Sequence, residues 1–231
     1  MKKLLVMLLI ICMAVSMAAC SNGNNDTTQS PASANGDDPV AENNTSQENG
    51  GATTETNGSN ILVAYFSRTG EQYGVGVIEK GNTAIVADMI AEETGADTFE
   101  ILPADDYYPT TYKELTEVAQ QEKNENARPA IKDEIIDFSD YDTVFIGYPN
   151  WWGDMPMIVY TFLESYDFDG KTVIPFCTHA GSGLSGTEGT MKSKLSGATV
   201  ETGLAVTGAT AQNDQDSART AVESWLSKLG Y

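Results

Sequence analysis

The sequence predicts an α/β domain, a doubly wound sheet of five parallel strands with helices on both faces. Three observations carry that expectation. Strand-like and helix-like hydrophobic periods alternate from about residue 60 to the C-terminus, the pattern of repeated βαβ units. The run Val144-Phe145-Ile146-Gly147-Tyr148 is continuously apolar, as a strand covered on both faces should be. Three of the strand-like runs pass straight into loops of small polar, glycine or aromatic residues, and in an open parallel sheet such loops converge on one crevice.

Taken in order, Ile61 to Phe66 is the first strand. The first helix starts at Asn82-Thr83, good N-cap residues, sets Ile85, Val86, Met89 and Ile90 on one face, and ends at Thr94-Gly95. Thr98 to Leu102 is a short second strand stopped by Pro103. A polar helix from Thr111 to Asn126 carries Leu115, Val118 and Ala119 as its apolar stripe. Asp142 to Tyr148 is the third strand, and Asp154 and Pro156 mark the start of a helix over Met155 to Tyr166. Thr172 to Cys177 is the fourth strand, followed by a small helix over Glu188 to Leu195, and Ala198 to Val206 is the fifth strand. The last helix, Asp214 to Leu229, aligns Ala218, Val222, Trp225 and Leu229 at spacings of four, three and four. Five strands and five helices result.

The first 59 residues stand apart. Lys2 and Lys3 precede an apolar run from Leu4 to Ala19, so residues 1–19 read as a secretory signal. The run is shorter than the roughly 20 residues a spanning helix needs. Met17-Ala18-Ala19-Cys20 resembles the bacterial lipobox. That resemblance implies a lipid on Cys20 and an extracytoplasmic protein held to a bacterial membrane by the lipid anchor only. Residues 20–59 are Asn, Thr, Ser, Gly, Asp and Glu with scarcely an apolar side chain, too few to offset the entropy of ordering, and read as a disordered linker. Residues 60–231 form one domain with a core of its own.

Charge narrows the function. The chain has 13 Lys+Arg against 33 Asp+Glu, a formal net charge of −20, and residues 60–231, with 11 basic and 27 acidic side chains, carry −16. Such a field repels nucleic acid and anionic lipid. Cys177 is the one cysteine beyond residue 20 and His179 the one histidine, so neither CxxC redox chemistry nor a zinc site is within reach. Any redox work must come from a bound organic cofactor.

The three loops suggest which one. Ser67-Arg68-Thr69-Gly70 follows the first strand and, after an excursion over Glu71 to Lys80, continues as Gly81-Asn82-Thr83. Hydroxyls and amides at a helix N-terminus suit a phosphate. Pro149-Asn150-Trp151-Trp152-Gly153 follows the third strand, and two indoles on a strand-end loop suit a flat ligand. Thr178-His179-Ala180-Gly181-Ser182-Gly183 follows the fourth strand with compact backbone donors. A phosphate joined to a flat ring system describes FMN.

Together the motifs Tyr-Phe-Ser-Arg, Gly-Tyr-Pro-x-Trp-Trp-Gly and Pro-Phe-Cys-Thr-His-x-Gly-Ser-Gly resemble the flavodoxin family over nearly all of residues 60–231. The resemblance implies a flavodoxin-like fold with FMN as cofactor. It implies that Ser67, Thr69, Asn82 and Thr83 hold the phosphate, with Arg68 and Gly70 in the same loop. It implies that Trp151 or Trp152 stacks on the isoalloxazine ring, with Pro149, Asn150 and Gly153 in that loop, and that Thr178, His179, Gly181, Ser182 and Gly183 line the other face and the pyrimidine edge. The insertion over Glu71 to Lys80 departs from the family pattern and reads as a loop bulging away from the phosphate.

A dinucleotide fingerprint competes at one point. Gly181-Ser182-Gly183-Leu184-Ser185-Gly186 spells G-x-G-x-x-G, but three residues separate it from its strand and too little chain follows to complete such a fold. The expected function is electron transfer or flavin-dependent reduction at the cell envelope, with a redox partner protein or a small electron acceptor. The acidic domain, with Asp154 and Glu188 as nearby charges, disfavours added negative charge on the cofactor and lowers its potential. The alternatives are a flavin- or nucleotide-binding module without redox turnover and a structural module without ligand.

Overall fold

The computed structural model describes residues 60–231. The signal, the lipidated Cys20 and the linker expected before residue 60 lie outside the described residues. Strand β1 (Ile61–Tyr65) leads into a hairpin, β2 (Gly70–Gln72) and β3 (Gly76–Ile78), and then into helix α1 (Asn82–Thr94). Strand β4 (Asp97–Glu100), helix α2 (Tyr112–Glu125), strand β5 (Thr143–Pro149) and helix α3 (Met157–Ser165) follow. Strand β6 (Thr172–His179), helix α4 (Thr187–Lys194), strands β7 (Thr199–Val200) and β8 (Leu204–Thr207), and helices α5 (Gly208–Asn213) and α6 (Gln215–Leu229) complete the domain.

All pairings in the main sheet are parallel, in the order β4-β1-β5-β6, with β7 and β8 sharing the position beyond β6. Side chains alternate across it. Leu62, Ala64, Val144, Ile146, Val173 and Cys177 join Leu115 of α2, Ile158 and Phe162 of α3 and Met191 of α4 in one core. Val63, Phe145, Ile174 and Phe176 join Val86 and Ile90 of α1, Ala211 of α5 and Val222 and Trp225 of α6 in the other. Burial on both faces is why these strands read as unbroken apolar runs. Each such Val, Leu, Ile or Phe contributes roughly 1.5–3 kcal/mol relative to exposure.

The fifth strand, expected as one element, is split. Val173 of β6 faces Val200, whereas Phe176 faces Leu204, so the edge strand holds one residue more than its partner. This is a bulge. Pro175, which has no N–H, stands beside it, and Gly203 passes so close that a Cβ there would lie 2.7 Å from the Pro175 carbonyl oxygen. A sixth helix, α5, was not foreseen. It has six residues, too few for a periodic signal, and is capped by Thr207, whose hydroxyl accepts the N–H of Thr210 at 3.1 Å.

The stretch from Glu71 to Lys80, expected as a loop bulging away, instead contributes to an ordered antiparallel ribbon with Gly70 opposite Ile78 and Gln72 opposite Gly76. Ile78 is buried at its base. The Glu71 N–H donates to the Thr110 carbonyl at 2.7 Å, and the Glu71 carboxylate accepts the Tyr112 N–H at 2.9 Å. Since Thr111 caps α2 with no side-chain bond, Glu71 supplies that cap from 41 residues away.

Candidate functional site

The chain leaves β1 outward to β4 and returns to the other side of β1 as β5, so the strand order reverses between β1 and β5. Beyond the carboxyl ends of these strands, where such a reversal opens a sheet to ligands, lies a crevice of about 820 Å³ including its mouth.

The first loop builds one end. Ser67 is buried, and its Oγ accepts the Ala84 N–H at 3.0 Å, taking one of the amides that α1 cannot satisfy internally. Its own proton stays available to donate. Gly81 sits at the cap position with no side-chain bond, and any Cβ there would collide with the Ser67 hydroxyl. The N–H groups of Asn82 and Thr83 have no partner within the helix, the arrangement that favours an anion. Asn82 reaches the crevice wall, and its Oδ1 is buried without a hydrogen-bond partner. Thr83 does not line the crevice; its hydroxyl meets that of Thr178 at 2.8 Å and ties α1 to β6.

Arg68 turns elsewhere. Its guanidinium donates to Asp106 and to the Tyr108 carbonyl, both at 2.8 Å, and lies over the Tyr108 ring. Thr69 offers its carbonyl to the Gln72 amide at 3.4 Å, and Gly70 opens the hairpin beside Thr110.

The second loop separates the two indoles. Trp151 packs edge-on against Phe66 and Tyr108, with ring centroids 5.4 and 5.6 Å away, and still contributes to the crevice wall. Trp152 is 54% exposed and held at a left-handed φ of 54°. Its Nε1 donates to the Thr116 carbonyl of α2 at 3.0 Å, and its carbonyl accepts from Lys123 at 2.8 Å. Those bonds hold a conformation that a bulky residue adopts only under constraint. Asn150 joins the loops: its N–H donates to the Thr178 carbonyl, its Nδ2 to the Gly183 carbonyl, both at 2.8 Å, and its Oδ1 accepts the Gly153 N–H at 3.1 Å.

In the third segment Thr178 and His179 belong to β6 rather than to a loop. Both line the crevice with Ala180. His179 Nδ1 accepts the Gly181 N–H at 2.9 Å, which puts the proton of the neutral ring on Nε2. Burial pushes its pKa below 6.5. Gly181, Ser182 and Gly183 lie outside the wall; the Gly183 carbonyl is taken by Asn150 and by the Cys177 thiol.

Among the sequence-predicted residues, Asn82, Pro149, Asn150, Trp151, Trp152, Thr178 and His179 are therefore brought together on one wall. Ser67, Arg68, Thr69, Gly70, Thr83, Gly153, Gly181, Ser182 and Gly183 are not on it. Asp154 and Glu188 are also off it: Asp154 accepts from Tyr160 at 2.7 Å and pairs with Lys123 at 3.4 Å, and Glu188 accepts the Gly203 N–H at 2.8 Å. Sequence reasoning missed the rest of the lining: Gln72 and Tyr73 of the hairpin and Tyr112, Leu115, Thr116 and Ala119 of α2, with Gly208 at the start of α5. The apolar stripe of α2 was the available signal, since Leu115 and Ala119 stood in it. No Lys, Arg, Asp or Glu stands in the wall, so any charge on a ligand must be met by neutral donors and backbone dipoles.

The family model described as Flavodoxin matches residues 60–228. A candidate flavoprotein from Bacteroides uniformis ATCC 8492 is 32% identical, with 72% of this chain and 97% of that chain covered and a TM-score of 0.58. Another from Bacteroides eggerthii DSM 20697 is also 32% identical, covering 74% and 98% with a TM-score of 0.59. A flavoprotein from Lactobacillus acidophilus NCFM, solved in complex with FMN, shares the fold at 22% identity, covering 63% and 91% with a TM-score of 0.52. A search of curated proteins finds no match.

Proposed function

Since the chain belongs to the flavodoxin family, we propose that its crevice binds FMN and that the protein uses it to carry electrons, or to reduce a small acceptor, on the outer side of a bacterial cytoplasmic membrane. The observation that carries this reading is the wall itself. Aromatic rings, the start of helix α1 at Asn82 and that residue's orphaned amide oxygen meet in one uncharged crevice at the switch between β1 and β5. That is where flavodoxin-type sheets hold FMN as a general rule.

The residues fit the group. At the start of α1, Asn82 reaches the wall with an N–H that the helix leaves open, which suits its phosphate, while Ser67 and Thr83 fix that helix start from behind the wall. Asn82 Oδ1 is an acceptor waiting for a hydroxyl donor, which the ribityl chain has. Trp151 and Trp152 offer ring surface for the isoalloxazine. When bound, FMN would supply one- and two-electron chemistry that none of these side chains can perform. The chain's own work is to bind and orient it. Trp151 is fixed by Phe66 and Tyr108, Asn150 locks the second loop to the third, and His179 presents a neutral N–H at the wall. With wall residues uncharged and the domain at −16, added negative charge in the crevice is disfavoured, which lowers the potential.

The membrane side of the proposal rests on the sequence motif ending at Cys20 and the polar stretch to residue 59. A redox partner protein or a small acceptor would meet the domain at the end of that tether. The test is reversible cycling. The purified chain loaded with FMN should bleach with dithionite and recover its colour with ferricyanide over repeated cycles. FMN that stays bound but cannot be cycled would leave a flavin-binding module without redox turnover, and the electron-transfer reading would fall.

A further inference from the structure

The hairpin β2–β3 is the feature that neither the fold nor the family pattern explains. It links α2 to the start of α5, two elements that both line the crevice. On one side Glu71 is bonded to Thr110 and caps α2 at Tyr112. On the other, Val75 at the tip leans on the start of α5, lying 3.7 Å from where a Cβ of Gly208 would stand. Between these anchors Gln72 and Tyr73 face the crevice, and the Tyr73 ring lies 5.7 Å from that of Tyr112, tilted by 42°. Tyr73 is nevertheless 65% exposed, while Ile78 is what seats the ribbon in the core. A large ring that lines the crevice and touches one neighbouring ring, yet stays mostly exposed, keeps surface free for a ligand. The third segment meanwhile brings Thr178, His179 and Ala180 to the wall but no Phe, Tyr or Trp, so further aromatic surface has to come from elsewhere.

We propose that the hairpin is a built wall of the ligand site, with Tyr73 as the contact for the planar part of the guest and Glu71 as the residue that positions it through α2. The assignment rests on the FMN reading above and extends it to the inserted segment. The ring of Tyr73 covers one side of the guest, and Tyr112 backs it. Contact with the planar part, rather than with the phosphate, makes a distinctive prediction: the hairpin must matter equally to ligands with and without a phosphate.

The experiment titrates the full chain with FMN and, separately, with riboflavin, which lacks the phosphate, following flavin fluorescence. Tyr73→Ala should weaken both about tenfold, the usual consequence of truncating an aromatic stacking contact. Tyr73→Phe should restore both. Val77→Ala, on the same ribbon but 82% exposed and off the wall, should change neither. Glu71→Ala should weaken both by a smaller factor, with circular dichroism confirming that each variant is folded. Unchanged affinities in Tyr73→Ala would overturn the assignment while leaving the FMN reading intact. A loss confined to FMN would also overturn it, because the hairpin would then guard the phosphate. A wild-type chain that takes up neither flavin would end both readings together.

Discussion

Thr83 at the start of α1 and Thr178 near the end of β6 share a hydrogen bond of 2.8 Å between their hydroxyls, though 95 residues separate them. Both side chains are buried. The bond sets the start of α1, where the open amides are, against the strand that carries His179. Removing one hydroxyl leaves the other buried and unpaired. Thr83→Val and Thr178→Val should therefore each lower stability by about 1–3 kcal/mol, whereas the double variant should cost much less than their sum. Urea unfolding of the four proteins tests it; additive losses would show that the pair is not coupled.

The two crevice indoles should separate cleanly. Trp151 is wedged between Phe66 and Tyr108, so Trp151→Ala opens a void in the core cluster and should cost about 3 kcal/mol or more. Trp152 is exposed and secured through one side-chain bond, so Trp152→Ala should cost about 1 kcal/mol. Thermal or urea melts check the order. Both variants together should abolish most of the tryptophan quenching on FMN addition.

Two carboxylates give stability opposite pH dependences. Glu122 is buried between Tyr107 and Tyr108, and burial raises its pKa above 4.5. Its contribution is complete below the unfolded value and fades as pH rises through the raised one, so Glu122→Gln should gain on wild type toward neutral pH. Glu164 is gripped by hydrogen bonds from Arg128 and Lys194, which lower its pKa to about 2. Its contribution is complete above the unfolded value of 4.5 and is lost as pH falls toward 2, so the gap between wild type and Glu164→Gln should close over that range. Urea midpoints between pH 2 and 8 measure both; parallel curves would contradict the account.

His179 is the chain's one histidine, so its ring protons can be followed without assignment. Burial disfavours the imidazolium, and protonating Nδ1 would break the bond from the Gly181 N–H. The NMR titration midpoint should fall below 6.5. A midpoint above that value would mean the ring is not placed as described.

The sheet was legible because its strands are covered on both faces: runs such as Val144 to Tyr148 have no polar interruption to confuse the period. What escaped was built from conformation rather than hydrophobicity. The hairpin has three-residue strands and turns on Gly74 and Gly76 at φ of 71° and 88°, so it carries no alternation that a sequence can display. The split of the fifth strand depends on Pro175 and Gly203 meeting across two strands, which is invisible along one. At the site, residue type told which loops carry ring surface and donors, but not direction. Arg68 is drawn off by Asp106, and the Gly183 carbonyl is committed to Asn150 rather than left for a ligand. Such partners lie 33 or more residues away.

The central claim is that separate strand ends build one receptacle for a planar, phosphorylated guest. Titrating the purified chain with FMN while recording the visible spectrum and tryptophan emission tests it most directly. One equivalent should bind saturably, the flavin bands should shift, and indole emission should fall in step. Emission and absorbance that change only by dilution would contradict it.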